Sequence, residues 1–303
     1  MNLKNISVLI ISLFLVLSCK NKNGSETEVS NFYEFKDYVS DVTSGLISST
    51  STIQIVLAEP VPEWTNNLEL STNLLSVTPN VKGKLTALTH NTIIFQPEKN
   101  LKPDTEYVFK LHLDQFRKTE KGFETFSFKA KTLKQDFTIT TNQLQSYDRD
   151  WQYLSGVIRT SDVMDIETAK KLVEATQKGK RLAVKFEDNI KNGQFFNFTI
   201  DSIQRFEEDS DINISWNGTP FGIDTKDERA YTIIGKNNFQ IINVEVVDGD
   251  EQYLEINFSD PIKKSQNFDG LVTIEGVNKL RYSVSGNVLK VLRFFYRVRE
   301  VNL

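Results

Sequence analysis

The sequence predicts an all-β protein built of β-sandwiches in tandem, with one short helix inserted in the middle domain. From Ser51 onward apolar residues recur at every second position in short runs, the period of a strand that buries one face. Proline, glycine, asparagine and aspartate punctuate those runs where turns are needed. One such run near residue 53 is repeated near residue 254, so the chain carries two copies of a strand-rich unit.

Before the strands comes a leader. Lys4 precedes an apolar run of 12 residues, Ile6 to Leu17, well short of the ~20 needed to span a bilayer as a helix. The run ends on Ser18 directly before the only cysteine, Cys19, so residues 1–18 read as a signal peptide. Val16-Leu17-Ser18-Cys19 resembles the lipobox of bacterial lipoproteins. That resemblance implies cleavage before Cys19, lipidation of its thiol and a membrane partner reached through the lipid. An ordinary signal peptide with an incidental cysteine, or an uncleaved anchor, are the competing readings. The cysteine's position at the expected cut argues against the first and the length of the run against the second.

Residues 19–50 are expected to be a tether, because Lys20 to Ser30 is polar and without hydrophobic periodicity. Lys20 rather than an aspartate follows the cysteine. By resemblance to lipoproteins of the Bacteroidetes type, this favours an outer-membrane lipid anchor facing the periplasm over one at the cell surface. Phe32, Tyr33, Phe35 and Tyr38 form an aromatic patch expected to pack on the first domain; stacking on a ligand is the other use of such a patch.

Composition narrows the functions. With 36 Lys+Arg against 40 Asp+Glu the net charge is -4, and no basic stripe is concentrated anywhere, which disfavours nucleic acid as a partner. Once Cys19 is lipid-linked, the mature chain has neither a disulfide nor a free thiol. Its domains must fold on hydrophobic cores, and 303 residues leave room for two or three. The 21 phenylalanines and 9 tyrosines favour strands.

Residues 51–134 are the first domain. Thr52 to Leu57 alternates and ends at Pro60, which has no N–H to donate to a ladder. Short strands follow at Asn67 to Leu70, Leu74 to Thr78, Lys84 to Leu88 and Thr92 to Phe95. After the Pro103 turn, Tyr107, Phe109, Leu111 and Leu113 share one face, and Phe126, Phe128 and Ala130 repeat the pattern. Roughly seven short strands in about eighty residues are the mark of an immunoglobulin-like sandwich. Ile53-x-Ile-x-Leu-x-Glu-Pro-Val61, Leu75-x-Val-x-Pro79, Gly83-x-Leu85, Thr92-Ile-Ile-Phe-x-Pro97 and Leu101-x-Pro-x-Thr-x-Tyr107 together resemble the bacterial Ig-like module of S-layer and other envelope proteins, the SbsA type. Such modules act mostly as spacers or binding platforms.

Residues 135–236 are expected to form a macroglobulin-like sandwich with a helix near 165–178. Asp165 can cap it, Ile166, Ala169 and Val173 fall on one face, and Gly179 can close it. Around it Leu182, Val184 and Phe186 alternate, as do Phe196, Phe198 and Ile200, and Ile212, Ile214 and Trp216.

Residues 237–303 hold the second copy. Leu254-x-Ile-x-Phe-Ser-Asp-Pro-Ile262 matches Ile53-x-Ile-x-Leu-Ala-Glu-Pro-Val61 position for position, and Asn287-Val-Leu-Lys-Val291 stands where Asn91-Thr-Ile-Ile-Phe95 stood. The chain has no Pro-turn and Tyr-strand pattern after Val291, so this module is expected to be incomplete, whether by truncation, by a shifted reading frame or as a natural short form. An incomplete sandwich leaves Val288 to Val298 expected to pack poorly.

The order of lipobox, tether, Ig-like module, helix-bearing sandwich and second module resembles the N-terminal region of bacterial α2-macroglobulin-like lipoproteins, over roughly residues 1–291. The resemblance implies a scaffold for trapping proteases. The family's Cys-x-Glu-Gln thioester motif has no counterpart here, so capture chemistry maps onto no residue, and proteases would be partners only through domains this chain lacks.

No catalytic constellation is legible, and the chain is not expected to be an enzyme or to use a cofactor or a metal. His90 and His112 have no metal-binding spacing. Glu207-Glu-Asp-Ser-Asp211 and Asp248-Gly-Asp-Glu251 could offer oxygens to calcium but lack the twelve-residue loop pattern, and read as turns. A second function class is an adhesion or glycan-binding envelope lipoprotein, which needs an exposed aromatic platform such as Trp64, Tyr147, Trp151 or Tyr153. An enzyme's accessory region is a third.

Overall fold

The computed structural model describes residues 29–187, 193–248, 251–277 and 279–293. They fall into two compact units, one within residues 1–132 and the other taking 48–50, 102–104 and 133–303. Nearly every regular element is a strand. Cys19 and the signal peptide lie outside the described residues, as do residues 19–28 of the expected tether; the rest of that stretch is not a free linker, because residues 39–47 pair as strands and Val39 and Ile47 are buried.

In the first unit the strands are β1 (Val39–Val42), β2 (Gly45–Ile47), β3 (Ile53–Leu57), β4 (Leu68–Leu70), β5 (Leu75–Thr78), β6 (Gly83–Ala87), β7 (Thr92–Pro97), β8 (Glu106–His112) and β9 (Thr125–Thr132). They form two sheets, β1-β3-β7-β6-β4 and β2-β9-β8-β5. With β4 set aside, this is the A-B-E-D and A′-G-F-C order of an immunoglobulin-like sandwich, and β2 runs parallel to β9. Period-two patterning supplies the core. Ile53, Ile55 and Leu57 face inward from one sheet, and Tyr107, Phe109, Leu111, Phe126 and Phe128 from the other. The Phe32–Tyr38 stretch packs as expected. Phe35 is buried, 4.9 Å from the Phe123 ring and 5.2 Å from Phe126, whereas Tyr33 stays exposed.

The second unit opens with another sandwich. Its strands are β10 (Phe137–Thr141), β11 (Gln145–Ser146), β12 (Trp151–Thr160), β13 (Val173–Gln177), β14 (Lys180–Leu182), β15 (Val184–Phe186), β16 (Phe195–Gln204), β17 (Ser210–Asn217) and β18 (Lys226–Ile233). Sheet β10-β12-β16-β15, with β11 on β12, and sheet β14-β13-β17-β18 repeat the A-B-E-D and C′-C-F-G scheme. Gly156 sits in the middle of β12 opposite Phe198. A Cβ there would lie 2.6 Å from the Phe198 ring and 2.8 Å from the Thr140 carbonyl, so only glycine lets the ring cross the strand.

The helix is shorter than the sequence suggested. It is one turn, α1 (Ile166–Ala169), capped by Asp165, whose side chain accepts the Thr168 N–H. Val173 belongs to β13 and not to the helix. Gly179 closes no helix; with Lys178 it makes a two-residue hairpin turn with φ of 47° and 74°, the mirror-image geometry that suits the twist of paired strands. Val173, Ala175 and Gln177 are buried alternately, so tertiary burial against β17 overrides the weaker helical pattern.

The last strands are β19 (Ile241–Val247), β20 (Tyr253–Phe258), β21 (Leu280–Ser285) and β22 (Val288–Arg293), in the order β19-β20-β22-β21. This is the A-B-E-D sheet again, and it is the only sheet this segment forms among the described residues. The sequence repeat is matched in the backbone. Leu57 N–H donates to Asn91 O at 2.7 Å and Phe258 N–H to Asn287 O at 2.9 Å; Val61 N–H donates to His90 O and Ile262 N–H to Gly286 O, both at 2.8 Å. The described part of Val288 to Val298 departs from expectation. β22 is paired on both sides, and Val288, Leu289 and Val291 are buried. Residues 294–298 lie outside the described residues.

Candidate functional site

Two sites in the second unit stand out, a buried polar junction and an exposed sheet face. The junction is centred on Arg205, which follows β16 and is fully buried. Its five N–H donors are all used. Nη1 and Nη2 reach Asp260 Oδ1 and Oδ2 at 2.6 and 3.2 Å; Nε donates to Ile234 O at 3.0 Å, Nη1 also to Arg149 O at 3.3 Å, and Nη2 to Gly235 O at 3.1 Å. A forked, charge-assisted pair of this kind fixes direction as well as distance.

Asp260 belongs to the repeated Ser-Asp-Pro turn, so the pair ties the end of the middle sandwich to the start of the terminal sheet. Around it, Asn287 Oδ1 accepts the Ser146 N–H at 3.0 Å while Nδ2 donates to Leu144 O and Phe258 O. Gln152 Nε2 donates to Ser146 Oγ at 2.9 Å and to Ser259 O at 3.2 Å. Buried polar groups are costly unless paired, and here they are paired across two modules, with Gln152 Oε1 the exception that has no hydrogen-bond partner. Sequence reasoning found Asp260 only as part of a repeat and missed Arg205, because a lone arginine after a strand carries no periodic signal.

The exposed face is the outer side of sheet β10-β12-β16-β15. Alternation places Trp151, Tyr153, Ser155, Val157 and Arg159 of β12 outward, and the register sets Ser155 opposite Thr199 and Trp151 opposite Gln204. The turn before β12 is tied by Asp148 Oδ1, which accepts the N–H groups of Asp150 and Trp151 at 2.7 and 2.9 Å. Tyr147 stacks on Tyr153 with centroids 4.5 Å apart and an interplanar angle of 29°. Its hydroxyl donates to Asp201 Oδ1 at 3.2 Å, and Lys185 Nζ holds Asp201 Oδ2 at 2.6 Å. Partial desolvation, then the Asp201 hydrogen bond, pushes the Tyr147 phenol above its ordinary pKa. The Lys185 hydrogen bond, then the Ser202 N–H, holds Asp201 below the usual carboxylate value. Asp201 and Ser202 form a bulge, with Ser202 at φ 58°, and this turns the carboxylate toward the ring.

Of the four aromatic residues singled out from sequence, the structure thus brings three together. Tyr147 and Trp151 are 56% and 41% exposed, and Tyr153 is half-buried beneath Tyr147. Trp64 is not part of any platform. It is buried in the first unit with its ring 5.1 Å from Phe116, because the turn after Pro62 folds it back into the core.

The titratable candidates fall where turns and strands need them. His112 lies on β8 with Nε2 2.9 Å from Ser76 Oγ and Nδ1 3.3 Å from Thr125 Oγ1. His90 sits in the turn before β7. Asp209 accepts the Gly235 N–H at 2.7 Å, and Asp211, which lies in β17 and not in the turn the sequence suggested, accepts the hydroxyl of its cross-strand partner Thr232 at 2.9 Å. In the second, Asp248 accepts from the Gln252 amide and Glu251 lies 3.7 Å from Arg281. Among the described residues no group of three or more His, Cys, Asp or Glu side chains is placed to hold a metal ion, and no helix is long and apolar enough to cross a membrane.

No protein-family model matches the chain, and no curated protein matches it in sequence. Solved structures overlap it at low scores. The I9–I11 tandem of titin is 11% identical with a TM-score of 0.27, over 84% of this chain and 87% of that one. The mouse nectin-like molecule 4 ectodomain (Ig1–Ig3) is 9% identical with a TM-score of 0.28, over 83% and 87%. Domains 1–6 of the surface layer protein SbsC are 10% identical with a TM-score of 0.21, over 82% of this chain and 50% of that one. The immunoglobulin-like assignment rests on the strand order within each sandwich and not on these overlaps.

Proposed function

We propose that this chain is the membrane-anchored scaffold portion of an α2-macroglobulin-like, protease-trapping envelope lipoprotein, held by lipid on Cys19 at the outer membrane and facing the periplasm. The observation that carries the reading is the Arg205–Asp260 junction. A protein that must hold stacked domains in register needs joints that resist bending, and a buried forked ion pair with every donor satisfied supplies one where a linker would not. The chain contributes placement and no chemistry of capture, which would have to come from a thioester outside it.

The test uses the protein in the cells that make it. An antibody to this chain should detect a lipid-labelled, membrane-bound species well above 34.7 kDa that shifts further upward when proteases are added. Cys19→Ser should abolish the label and release the protein, since acyl chains holding it at ~0.8 kcal/mol per buried CH₂ would be lost. A species of 34.7 kDa alone that never shifts with protease overturns the trap. Membrane association that survives Cys19→Ser overturns the anchor.

A further inference from the structure

We infer that the outer face of sheet β10-β12-β16-β15 is a binding site for a neutral polysaccharide, with Tyr147 and Trp151 as its stacking surface. This goes beyond the scaffold reading and does not depend on it.

The argument starts from what the face offers. One face of the Tyr147 ring is covered by Tyr153, so its exposure comes from the other face and the ring edge. A planar ligand surface laid there becomes the third layer of a stack already formed. Tyr147 is also held at its far end by the Asp201 hydrogen bond, so ordering it on binding costs little side-chain entropy. Trp151, at the start of β12 and bonded through its carbonyl to the Tyr147 N–H, extends the aromatic surface from a turn that Asp148 fixes.

Beyond the rings the outward rows hold hydroxyls and amides. Ser155 stands opposite Thr199, and Thr140 stands beside Val157, which faces Asn197. From Trp151 to Arg159 this strip runs about 27 Å at ~3.4 Å per residue, long enough for several linked rings. The charges beside the aromatic pair cancel, because Asp201 is neutralised by Lys185.

Those features select the occupant. A nucleic acid needs a row of uncompensated cations along its track, whereas here Lys185 is paired with Asp201 and Arg159 stands at the far end of the strip over the Phe195 ring. An extended hydrophobic peptide needs a continuous apolar groove, whereas on these rows Val157 and Phe195 alternate with Ser155, Thr199, Thr140 and Asn197. A hydroxyl-rich, uncharged chain with an apolar ring face fits both halves of the surface, stacking on the tyrosine and tryptophan and hydrogen-bonding to the serine, threonine and asparagine rows.

Affinity electrophoresis of the purified full chain through gels containing laminarin, xylan, mannan or hydroxyethylcellulose tests the inference, with heparin as the charged control. Retardation is expected in at least one neutral polymer, undiminished by salt. Tyr147→Ala and Trp151→Ala should each weaken it roughly tenfold, and Tyr147→Phe, which keeps the ring and loses the Asp201 bond, should weaken it less. Both side chains are exposed, and unchanged thermal melting of the variants separates lost binding from lost fold. Protection of Trp151 from oxidative labelling by the retarding polymer gives a second readout on the unmodified chain. The inference is overturned by no retardation in any neutral polymer, by retardation in heparin alone, or by retardation that survives both alanine substitutions.

Discussion

Arg205 shows how one side chain can decide whether two modules behave as one. Its guanidinium is out of water, and the compensation is a full set of partners, two on Asp260 and three on backbone carbonyls. Removing it would strand a carboxylate and three carbonyls in a space that water enters poorly. Arg205→Ala is therefore expected to cost about 3–5 kcal/mol, the usual penalty for breaking a buried pair from one side. Arg205→Lys should recover only part of that, since an ammonium cannot reproduce the fork. Urea denaturation of the full chain measures both, and a loss below about 1 kcal/mol for the alanine variant would show that the pair is incidental. Asp162 illustrates the same economy on a smaller scale. It is buried, which opposes ionisation, but hydrogen bonds from the Ser48 hydroxyl and the N–H groups of Ser49 and Val163 outweigh that and hold its carboxyl below the ordinary range.

At the scale of elements, β12 concentrates the logic of the middle sandwich, because its two faces serve different ends. Inward, Leu154 and Ile158 flank Gly156, over which the Phe198 ring passes. Gly156→Ala should force that ring or the Thr140 carbonyl to move and destabilise the chain by about 1–3 kcal/mol, as overpacking does. A melting temperature equal to that of the parent would mean the sheet has slack that the close contacts do not suggest. Strand placement of this kind was legible in the sequence wherever alternation ran unbroken, as in Ile53-Gln-Ile-Val-Leu57 or Phe196-Asn-Phe-Thr-Ile200. It misled at Ile166, Ala169 and Val173, where positions three and four apart also fit a helix and a capping aspartate stood in the right place. The cap is real, but the helix it starts lasts one turn, and the pairing of Val173–Gln177 with β17 decides the rest. The platform was half legible. Tyr147, Trp151 and Tyr153 could be chosen as aromatic candidates, but Trp64 is chemically the same kind of residue and only packing tells them apart. The partners Asp201 and Lys185 could not be seen, because contacts across strands far apart in sequence leave no local pattern.

For the whole molecule the distribution of buried apolar residues sets the order of stability. The first unit and the middle sandwich each have a broad core drawn from two facing sheets. The terminal module relies on Ile256, Phe268, Leu289 and Val291, with flanking side chains only partly covered, while Val244 and Val246 on edge strand β19 stand open to solvent. Hydrogen exchange should therefore be fastest in β19 and β21, slower in β20 and β22, and slowest in β8, β12 and β16. Protection in β19 equal to that of β12 would mean that something covers the edge. The junction acts against this gradient, because Asn287 and Asp260 belong to the terminal module but are fastened to the better-packed sandwich. The strands nearest the junction should be the last of that module to open.

The parallel pairing of β2 with β9 has a mechanical side. The chain enters the first unit ahead of β2 and leaves it just beyond β9, and the two strands meet through Gly45 with Ala130, Leu46 with Lys131 and Ile47 with Thr132. Because they point the same way, tension on the two ends of the unit pulls them past each other along their length. The β2–β9 bonds are loaded together and must fail together, so this short pair is the part of the first unit suited to bearing force applied between its two ends.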